Sequence, residues 1–232
     1  MNDFFSRSEA LLGTQAMNKL REKRVIIFGV GGVGSYCAEA LIRTGLTHLT
    51  IVDDDVVQAS NVNRQLEATR ETIGHPKVEV LRERLLEINP DAEIIAIQER
   101  YVAEDEKISN LKSQIANSNY IIDAIDDVVA KTDLILRASR VRGVKVYSSM
   151  GAALRFDPTQ VRVTELFDVK GDALAKAVRT RMKKLDLHPN KKIRCVYSLE
   201  QAQRCESRGS LMQVTAVFGC TLASLVINDI KK

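Results

Sequence analysis

Residues 25–34 read VIIFGVGGVG, an apolar run that passes into a loop with four glycines. The β-branched run Val25–Val30 predicts a strand, and Ser35–Thr44 has the pattern of an amphipathic helix. Glycines at a strand-to-helix turn let the backbone approach a phosphate, and the helix N-terminus presents unpaired N–H groups to it. Nucleotide binding is the favoured interpretation, and a tight turn without a ligand is the alternative.

An acidic residue stands at the distance that a nucleotide-binding loop requires. Asp53 follows Gly34 by 19 residues and comes directly after the second predicted strand. A carboxylate at that place can accept hydrogen bonds from ribose hydroxyls. The acid and the glycine loop together therefore strengthen the prediction of a nucleotide site.

Short β-branched runs alternate with helical stretches from Arg24 to Ser149. The predicted strands are Val25–Val30, Leu49–Val52, Ile94–Gln98, Tyr120–Ala124 and Lys145–Ser149. The predicted helices are Ser35–Thr44, Lys77–Ile88 and Asp133–Arg140. This alternation predicts an α/β, Rossmann-like fold with a mainly parallel sheet and helices on both faces.

The pattern changes after Gly151. Ala153–Phe156 and Gln160–Thr164 flank a proline turn, which predicts an antiparallel pair that extends the sheet in the C-terminal third. Beyond it we predict a helix over 172–186, an exposed turn over 188–193, a mobile loop near 201–210 and an apolar helix over 211–230. We expect a single domain over 1–232, with an N-terminal helical arm at 1–23 and a basic C-terminal portion at 151–232.

Composition is typical of a soluble globular protein. Apolar residues make up 45% of the chain and charged residues 28%, which excludes disordered, collagen-like and disulfide-scaffold classes. The apolar run 216–230 is interrupted by polar residues and is shorter than the roughly 20 residues that span a bilayer. The first residues lack a secretion signal, so we expect a cytoplasmic protein without a membrane partner.

The net charge of +4 is unevenly distributed. Residues 1–150 carry 19 Lys and Arg against 22 Asp and Glu, whereas residues 151–232 carry 15 against 8. The basic excess of the C-terminal portion suggests a polyanionic partner, and a surface that only aids solubility is the alternative.

Two cations follow the predicted ribose acid. Arg64 ends a polar stretch that also contains Asn61, and Lys77 opens the next predicted helix. Such groups suit a triphosphate, which carries more charge than the diphosphate of a dinucleotide. The alternatives are an ion pair between Arg64 and Glu67, and a solvated lysine at position 77.

An acidic cluster, Asp123 to Asp127, follows the fourth predicted strand. Ligands bind beyond the carboxyl ends of strands in such sheets, and Mg²⁺ takes one or two carboxylates plus phosphate oxygens. We predict that Asp126 is the Mg²⁺ ligand and that Asp123 is structural. Capping of the following helix is the alternative for these acids.

These motifs resemble the ubiquitin-activating-enzyme-like superfamily, whose members activate a carboxylate as an acyl adenylate with ATP. The resemblance covers about residues 5–230 and implies a nucleotide site formed by Gly29, Gly31, Gly32, Gly34, Asp53, Asp55, Asn61, Arg64 and Lys77. It implies that Asn61, Arg64 and Lys77 neutralise triphosphate charge and that Asp126 holds Mg²⁺. It also implies that Arg7, in the sequence Phe5-Ser6-Arg7, acts catalytically in the partner subunit of a homodimer; a frayed N-terminal charge is the alternative.

Within the superfamily, the chain resembles the tRNA threonylcarbamoyladenosine dehydratase branch. The sulfur-carrier-activating branch usually carries two C-x-x-C pairs for zinc, and Cys37, Cys195, Cys205 and Cys220 form none. Ser149–Ala152, Phe156–Thr159 and Cys195–Glu200 look like the dehydratase branch. The resemblance implies ATP-dependent cyclisation of a threonylcarbamoyl group with loss of water. An adenylyltransferase for the Gly-Gly end of a small carrier protein is the first alternative, and an NAD-dependent oxidoreductase is a remote one.

The resemblance also gives the basic C-terminal portion a use, since tRNA phosphates could meet Lys176, Arg179, Arg181, Lys183, Lys184, Lys191, Lys192 and Arg194. A solvated helix face is the alternative. A sulfur-transfer partner of the cysteine desulfurase system is a further possibility. Cys195 is interpreted as a strand thiol, with a reactive or persulfide-carrying cysteine as the alternative.

Overall fold

The computed structural model describes residues 3–103, 109–204 and 209–232. Its strands are β1 (Arg24–Phe28), β2 (His48–Val52), β3 (Glu93–Ile97), β4 (Tyr120–Asp123), β5 (Lys145–Ser149), β6 (Val161–Glu165) and β7 (Arg194–Ser198). In the described ranges they form one seven-stranded sheet in the order β3-β2-β1-β4-β5-β7-β6. All neighbouring pairs are parallel except β6 and β7.

Helices cover both faces of this sheet. The α-helices of the described ranges are α1 (Ser6–Leu12), α2 (Thr14–Arg21), α3 (Gly34–Thr44), α4 (Lys77–Ile88), α5 (Ser109–Asn117), α6 (Val128–Arg140), α7 (Ala173–Leu185) and α8 (Met212–Ile230). Alternate residues of β1 face opposite sides: Ile27 packs in the core with α3, α4 and α8, and Ile26 in the core with α5, α6 and α7. The predicted fold class is confirmed.

Helix α8 packs backbone to backbone on α3. A Cβ atom on Gly219 would lie 2.4 Å from the Val33 carbonyl oxygen and 2.8 Å from Cβ of Tyr36, so only glycine fits at this crossing. Helix α8 is long and apolar enough to cross a membrane by length and composition alone, but 50% of its most apolar window is buried inside the protein. Its contacts are those of a core helix.

The predicted antiparallel pair between Ala153–Phe156 and Gln160–Thr164 is wrong. Strand β6 pairs with β7 instead, with Val163 opposite Val196, and residues 153–156 contain no strand. The predicted strands did not include 194–198, which forms the actual partner strand.

Two residues explain why 153–156 leaves the extended conformation. Leu154 has a φ of 63°, in the left-handed region. The next side chain, Arg155, is 3% exposed and lies 3.1 Å from the Asp172 carboxylate, which caps α7. A regular hairpin strand does not accommodate a residue in the left-handed region or an arginine that points into the protein, so residues 153–156 do not continue as a strand.

Part of the mobile loop expected near 201–210 lies outside the described residues, namely residues 205–208 with Cys205. On either side of that gap the backbone is bound to Leu154, which donates to Gly209 (2.9 Å) and accepts from Gln203 (2.8 Å).

The order of the strands reverses between β1 and β4. Phe28 ends β1 opposite both Val52 and Asp123, so the loops after β2, β1 and β4 emerge side by side. Gly29 N donates to Val52 O and Ala124 N to Phe28 O, both at 2.8 Å. Such a switch point opens a crevice in which α/β proteins bind ligands.

Candidate active site

The glycine loop fills the floor of this crevice. Gly29 has a φ of 85°, and a Cβ there would lie 2.8 Å from the Ala124 oxygen. A Cβ on Gly34 would lie only 1.8 Å from the Gly29 oxygen. These two glycines are therefore required by the turn itself, whether or not a ligand binds.

Gly31 and Gly32 have a different surrounding. A Cβ on Gly31 would meet Nε2 of Gln65 at 3.3 Å, and one on Gly32 would meet Cγ of Arg64 at 3.2 Å. No described side chain caps the first turn of α3. In that turn Ser35 N and Cys37 N already donate to Gly31 O and Val33 O, so only the remaining N–H groups there are available to an anion, beside the segment that carries Arg64.

Asp53 ties the glycine loop to the end of β2. Its carboxylate accepts hydrogen bonds from Val30 N (2.8 Å) and Asp55 N (2.9 Å). Burial raises the pKa of Asp53 above its usual value, and the two N–H donors oppose that rise. The residue predicted to bind ribose therefore also orders the loop.

Lys77 is buried and not a solvated surface lysine. It is 4% exposed, and Nζ lies 2.7 Å from a carboxylate oxygen of Asp55, whose side chain is 60% exposed. Lys77 is the first residue of α4, where the helix dipole disfavours a cation. The buried positive charge of Lys77 is therefore stabilised by anions in the crevice, of which the Asp55 carboxylate is one.

Arg64 has no carboxylate partner among the described residues. Its guanidinium donates to Ser60 O and to the amide oxygen of Asn63, both at 2.9 Å, so the alternative of an ion pair with Glu67 is wrong. Asn61 is buried, and its amide oxygen accepts from Gln58 N in the short turn before Arg64. The charge of Arg64 is left without a counter-ion beside the glycine loop.

Glu67 lies just below the loop, and sequence analysis considered it only as a partner of Arg64. The residue is 1% exposed, and neither carboxylate oxygen makes a hydrogen bond to a residue that the structure describes. The nearby Ser35 hydroxyl donates instead to Gly31 O at 2.7 Å. Burial raises the pKa of Glu67 to about 7, against the attraction of Lys77.

Asp123 and Lys131 form a fully buried ion pair at the end of β4. Lys131 Nζ lies 2.7 Å from the carboxylate and also donates to Ser148 Oγ (3.3 Å) and Ser149 O (2.9 Å). The Ser148 hydroxyl donates to the same carboxylate at 2.6 Å. Sequence analysis missed Lys131, although its spacing from Leu134, Ile135 and Ala138 places it on the apolar face of α6.

The adjacent Asp126 and Asp127 differ in their contacts. Asp127 caps α6 by accepting from Ala130 N at 2.8 Å, and α6 therefore begins at Val128, five residues before the predicted start. Asp126 is exposed and makes no hydrogen bond or ion pair within the described ranges. The alternative interpretation of this cluster, helix capping, is therefore correct for Asp127, whereas the Asp126 carboxylate does not cap the helix and remains available to a ligand.

Arg7 lies far from the glycine loop of its own chain. Phe5 packs beside Gly45, at the C-terminal end of α3, and Arg7 is exposed on α1. The glycine loop leads into the other end of α3, which has 11 residues, so about 16 Å of helix separates the two ends. Arg7 is thus placed near the C-terminal end of α3, away from the glycine loop of its own chain.

The basic residues of the C-terminal portion fall into two groups. Three are bound internally: Arg179 to Leu166 O, Lys191 to Val141 O and Val144 O, and Lys192 to Glu165. The other five have no side-chain partner in the described ranges; they are Lys176, Arg181, Lys183, Lys184 and Arg194. Only five of the eight basic residues predicted to meet RNA phosphates are thus left without an internal partner in the described ranges.

Cys195 lies inside β7 and is fully buried. Burial raises the pKa of this thiol to about 12, so it stays protonated at neutral pH. The contacts favour the strand thiol over the reactive cysteine.

The comparison with known proteins agrees with this geometry. A model of the ThiF family matches residues 5–231. The chain belongs to the ThiF family. This ThiF-family chain is 39% identical over 181 residues to the tRNA threonylcarbamoyladenosine dehydratase of Bacillus subtilis, which covers 78% of the chain and 69% of that protein.

Two further similarities extend over more of the chain. The tRNA threonylcarbamoyladenosine dehydratase of Escherichia coli is 34% identical over 217 residues, covering 91% of the chain and 79% of that protein. The crystal structure of the Escherichia coli enzyme in complex with ATP matches with a TM-score of 0.90 and 32% identity, covering 98% of this chain and 93% of that one. The resemblance predicted from the motifs is confirmed.

Proposed function

We propose that this chain is an ATP-dependent tRNA threonylcarbamoyladenosine dehydratase. It activates the carboxylate of the threonylcarbamoyl group as an acyl adenylate and then closes a ring with net loss of water. One observation supports the adenylation step most: Lys77 is a nearly buried ammonium whose only described acceptor is the exposed Asp55. An ammonium has three donors, so two remain for phosphate oxygens.

The chemistry requires charge stabilisation more than proton transfer. A carboxylate oxygen attacks the α-phosphorus of ATP, and the bond to pyrophosphate breaks. Negative charge grows on the departing phosphates, where Lys77 and the unpaired guanidinium of Arg64 stabilise it. A nucleophile within the threonylcarbamoyl group then attacks the acyl carbon, and AMP leaves with the former carboxylate oxygen.

The remaining residues position the nucleotide. Gly31 and Gly32, with the first turn of α3, bind phosphates through backbone N–H groups, while Gly29 and Gly34 keep the turn closed. Asp53 binds the ribose at the end of β2. Asp55 holds Lys77 until a phosphate replaces it.

Asp126 suits a magnesium ion. It is an exposed carboxylate at the carboxyl end of β4 without a partner among the described residues, whereas the neighbouring Asp127 is engaged as a helix cap. Asp53, Asp54 and Asp55 also bring carboxylate oxygens within 4.8 Å of one another, but Asp53 and Asp55 are bound to N–H groups and Lys77. Bound Mg²⁺ would neutralise phosphate charge, with Asp126 and phosphate oxygens as ligands.

The proposal extends to the assembly. Arg7 completes the site of a partner subunit in a homodimer, because it lies too far from the glycine loop of its own chain. The enzyme works in the cytoplasm, where its tRNA substrate is found, and the exposed basic residues of 176–194 face that RNA. A sulfur-transfer partner stays a prediction.

A direct assay tests the proposal. The protein is incubated with ATP, Mg²⁺ and tRNA that carries threonylcarbamoyladenosine. The tRNA is then digested to nucleosides, whose masses are measured by mass spectrometry. We expect the modified nucleoside to lose the mass of one water while AMP and pyrophosphate accumulate in equal amounts. Unchanged nucleoside mass with wild-type protein would contradict the function. Release of pyrophosphate only when a carrier protein ending in Gly-Gly is added would favour the adenylyltransferase instead.

A further inference from the structure

Helix α7 carries cations that have no side-chain partner in the part of the chain that the structure describes. Lys176, Arg181 and Lys184 make no side-chain hydrogen bond within the described ranges, whereas Arg179 on the same helix is bound to Leu166 O at 2.9 Å. The three cations lie five and three positions apart along α7 and share one broad face of the helix with Ala173, Ala177 and Thr180. Lys176 and Lys184 are eight residues apart, which corresponds to about 12 Å along the helix.

These three side chains line one groove of about 430 Å³ between α7 and the first turn of α6. Val128 and Val129 form the opposite wall, and Val129 is 40% exposed. Ala173, Ala177 and Thr180 complete the lining, which contains no acidic residue. We call this feature the α6–α7 groove.

The α6–α7 groove adjoins the proposed adenylation site. Val128 is the first residue of α6 and follows Asp126 by two positions. Both lie just beyond the carboxyl end of β4, the strand beside the glycine loop. A molecule that reaches the nucleotide crevice and continues past Asp126 would therefore enter this groove.

The chemistry of the groove fits a polyanion with flat apolar groups. The groove lining holds three cations and no acidic residue, so it attracts negative charge, although Asp127, which caps α6, lies next to Val128. The valine wall offers apolar contact for a ribose or the edge of a base. A free phosphate would use the cations and leave the valines exposed.

We propose that the α6–α7 groove binds the ribose-phosphate backbone of the tRNA nucleotides next to the modified adenosine. This inference rests on the proposed function. It narrows the RNA-binding surface from the five basic residues of 176–194 that have no described side-chain partner to three of them, and it gives the RNA a path from Asp126 along α7.

Two charge-matched double variants test the groove. Arg181→Ala/Lys184→Ala removes two groove cations. Lys183→Ala/Arg194→Ala removes the same charge outside the groove. Lys183 does not line the groove, and Arg194 is the first residue of β7, at the end of the sheet opposite the carboxyl ends of the parallel strands. Binding of tRNA that carries threonylcarbamoyladenosine is measured by filter retention at several salt concentrations, without turnover, and ATP binding is measured separately.

We expect the groove variant to bind tRNA at least tenfold more weakly than the control variant, with ATP binding unchanged. In a plot of log affinity against log salt concentration, the slope for the groove variant should be less steep than that for the control variant by roughly 1.5, the value for two phosphate contacts. An isolated anticodon stem-loop should show the same relative loss. Equal tRNA affinity of the two variants, or a loss that spares the stem-loop, would overturn the inference.

The same assays separate this inference from the proposed function. Wild-type protein that binds tRNA through the groove but removes no water would contradict the dehydratase and retain the groove. Wild-type protein that removes water while both variants bind alike would retain the dehydratase and contradict the groove.

Discussion

Lys77 and Lys131 are both buried lysines that lie 2.7 Å from an aspartate at the carboxyl edge of the sheet, yet their surroundings differ. Lys131 uses its three donors on Asp123, Ser148 and Ser149, and both members of the ion pair are fully buried. Lys77 has one described acceptor, Asp55, whose side chain is 60% exposed.

This difference separates a structural ion pair from a binding group. The Lys131 network is closed, so it can only hold β4, β5 and α6 together. The Lys77 pair is open on the solvent side, so an anion can share or replace Asp55 at little desolvation cost to the lysine. The following predictions test whether the two networks behave in these two ways.

The largest effect should come from breaking the closed network. Lys131→Met leaves the Asp123 carboxylate buried without its counter-charge, which should lower the free energy of unfolding by about 3–5 kcal/mol. Urea denaturation at pH 7 measures the change. Adding Asp123→Asn to this variant removes the uncompensated charge and should recover part of the loss. A single variant as stable as the wild type would show that the network contributes nothing.

The open network should respond in activity more than in stability. Lys77→Met should lower kcat for water loss by about 10²–10³-fold, the usual effect of removing one group that stabilises transition-state charge. Its free energy of unfolding should change much less than that of Lys131→Met, because the remaining Asp55 is solvated. Lys112→Met, at an exposed lysine of α5, is the control for a lysine outside both networks. Full activity of Lys77→Met would remove Lys77 from the mechanism.

Glu67 gives a third carboxylate, buried but without the partner that Asp123 has. Since its pKa is raised to about 7, the folded protein holds a proton that the unfolded chain has lost. Stability should therefore fall as pH rises, by about 2.5 kcal/mol between pH 5 and pH 8 from this group.

Thermal unfolding of wild type and Glu67→Gln across that pH range isolates the contribution of Glu67. The wild type should lose more stability than the variant as pH rises, because glutamine does not ionise. Parallel pH profiles would mean that Glu67 keeps an ordinary pKa.

The smallest effects on stability distinguish the neighbours Asp126 and Asp127. Asp127→Ala removes the cap of α6 and should lower the free energy of unfolding by about 1 kcal/mol. Asp126→Ala should leave stability unchanged and abolish turnover, with partial rescue at high Mg²⁺ as the signature of a metal ligand. Loss of stability in Asp126→Ala would indicate a structural role.

Much of this architecture could be predicted from local pattern. The glycine loop, the helix Lys77–Ile88 and the strand Lys145–Ser149 carry their own periodicity and end signals, and the last two have the predicted bounds. The partner of β6 could not be found in this way, because the pairing joins residues 33 positions apart, Val163 and Val196, and depends on the inward Arg155.

The site shows the same limit. Arg64, Lys77 and Asp126 could be chosen from charge and spacing, but spacing does not reveal which charges are already neutralised. The closed Lys131 network, the unpartnered Glu67 and the capping role of Asp127 depend on burial and on hydrogen-bond partners. Which charged side chains are neutralised within the protein and which remain available to a ligand is therefore decided by the folded structure.

The central claim is that the substrate carboxylate attacks the α-phosphorus of ATP at the open Lys77 site. The most direct measurement uses tRNA whose threonylcarbamoyl carboxylate is labelled with ¹⁸O, with mass analysis of the released nucleotide. We predict that AMP carries one ¹⁸O for each water lost from the nucleoside. Label in inorganic phosphate with ADP as the product, or water loss with unlabelled AMP, would contradict the acyl adenylate.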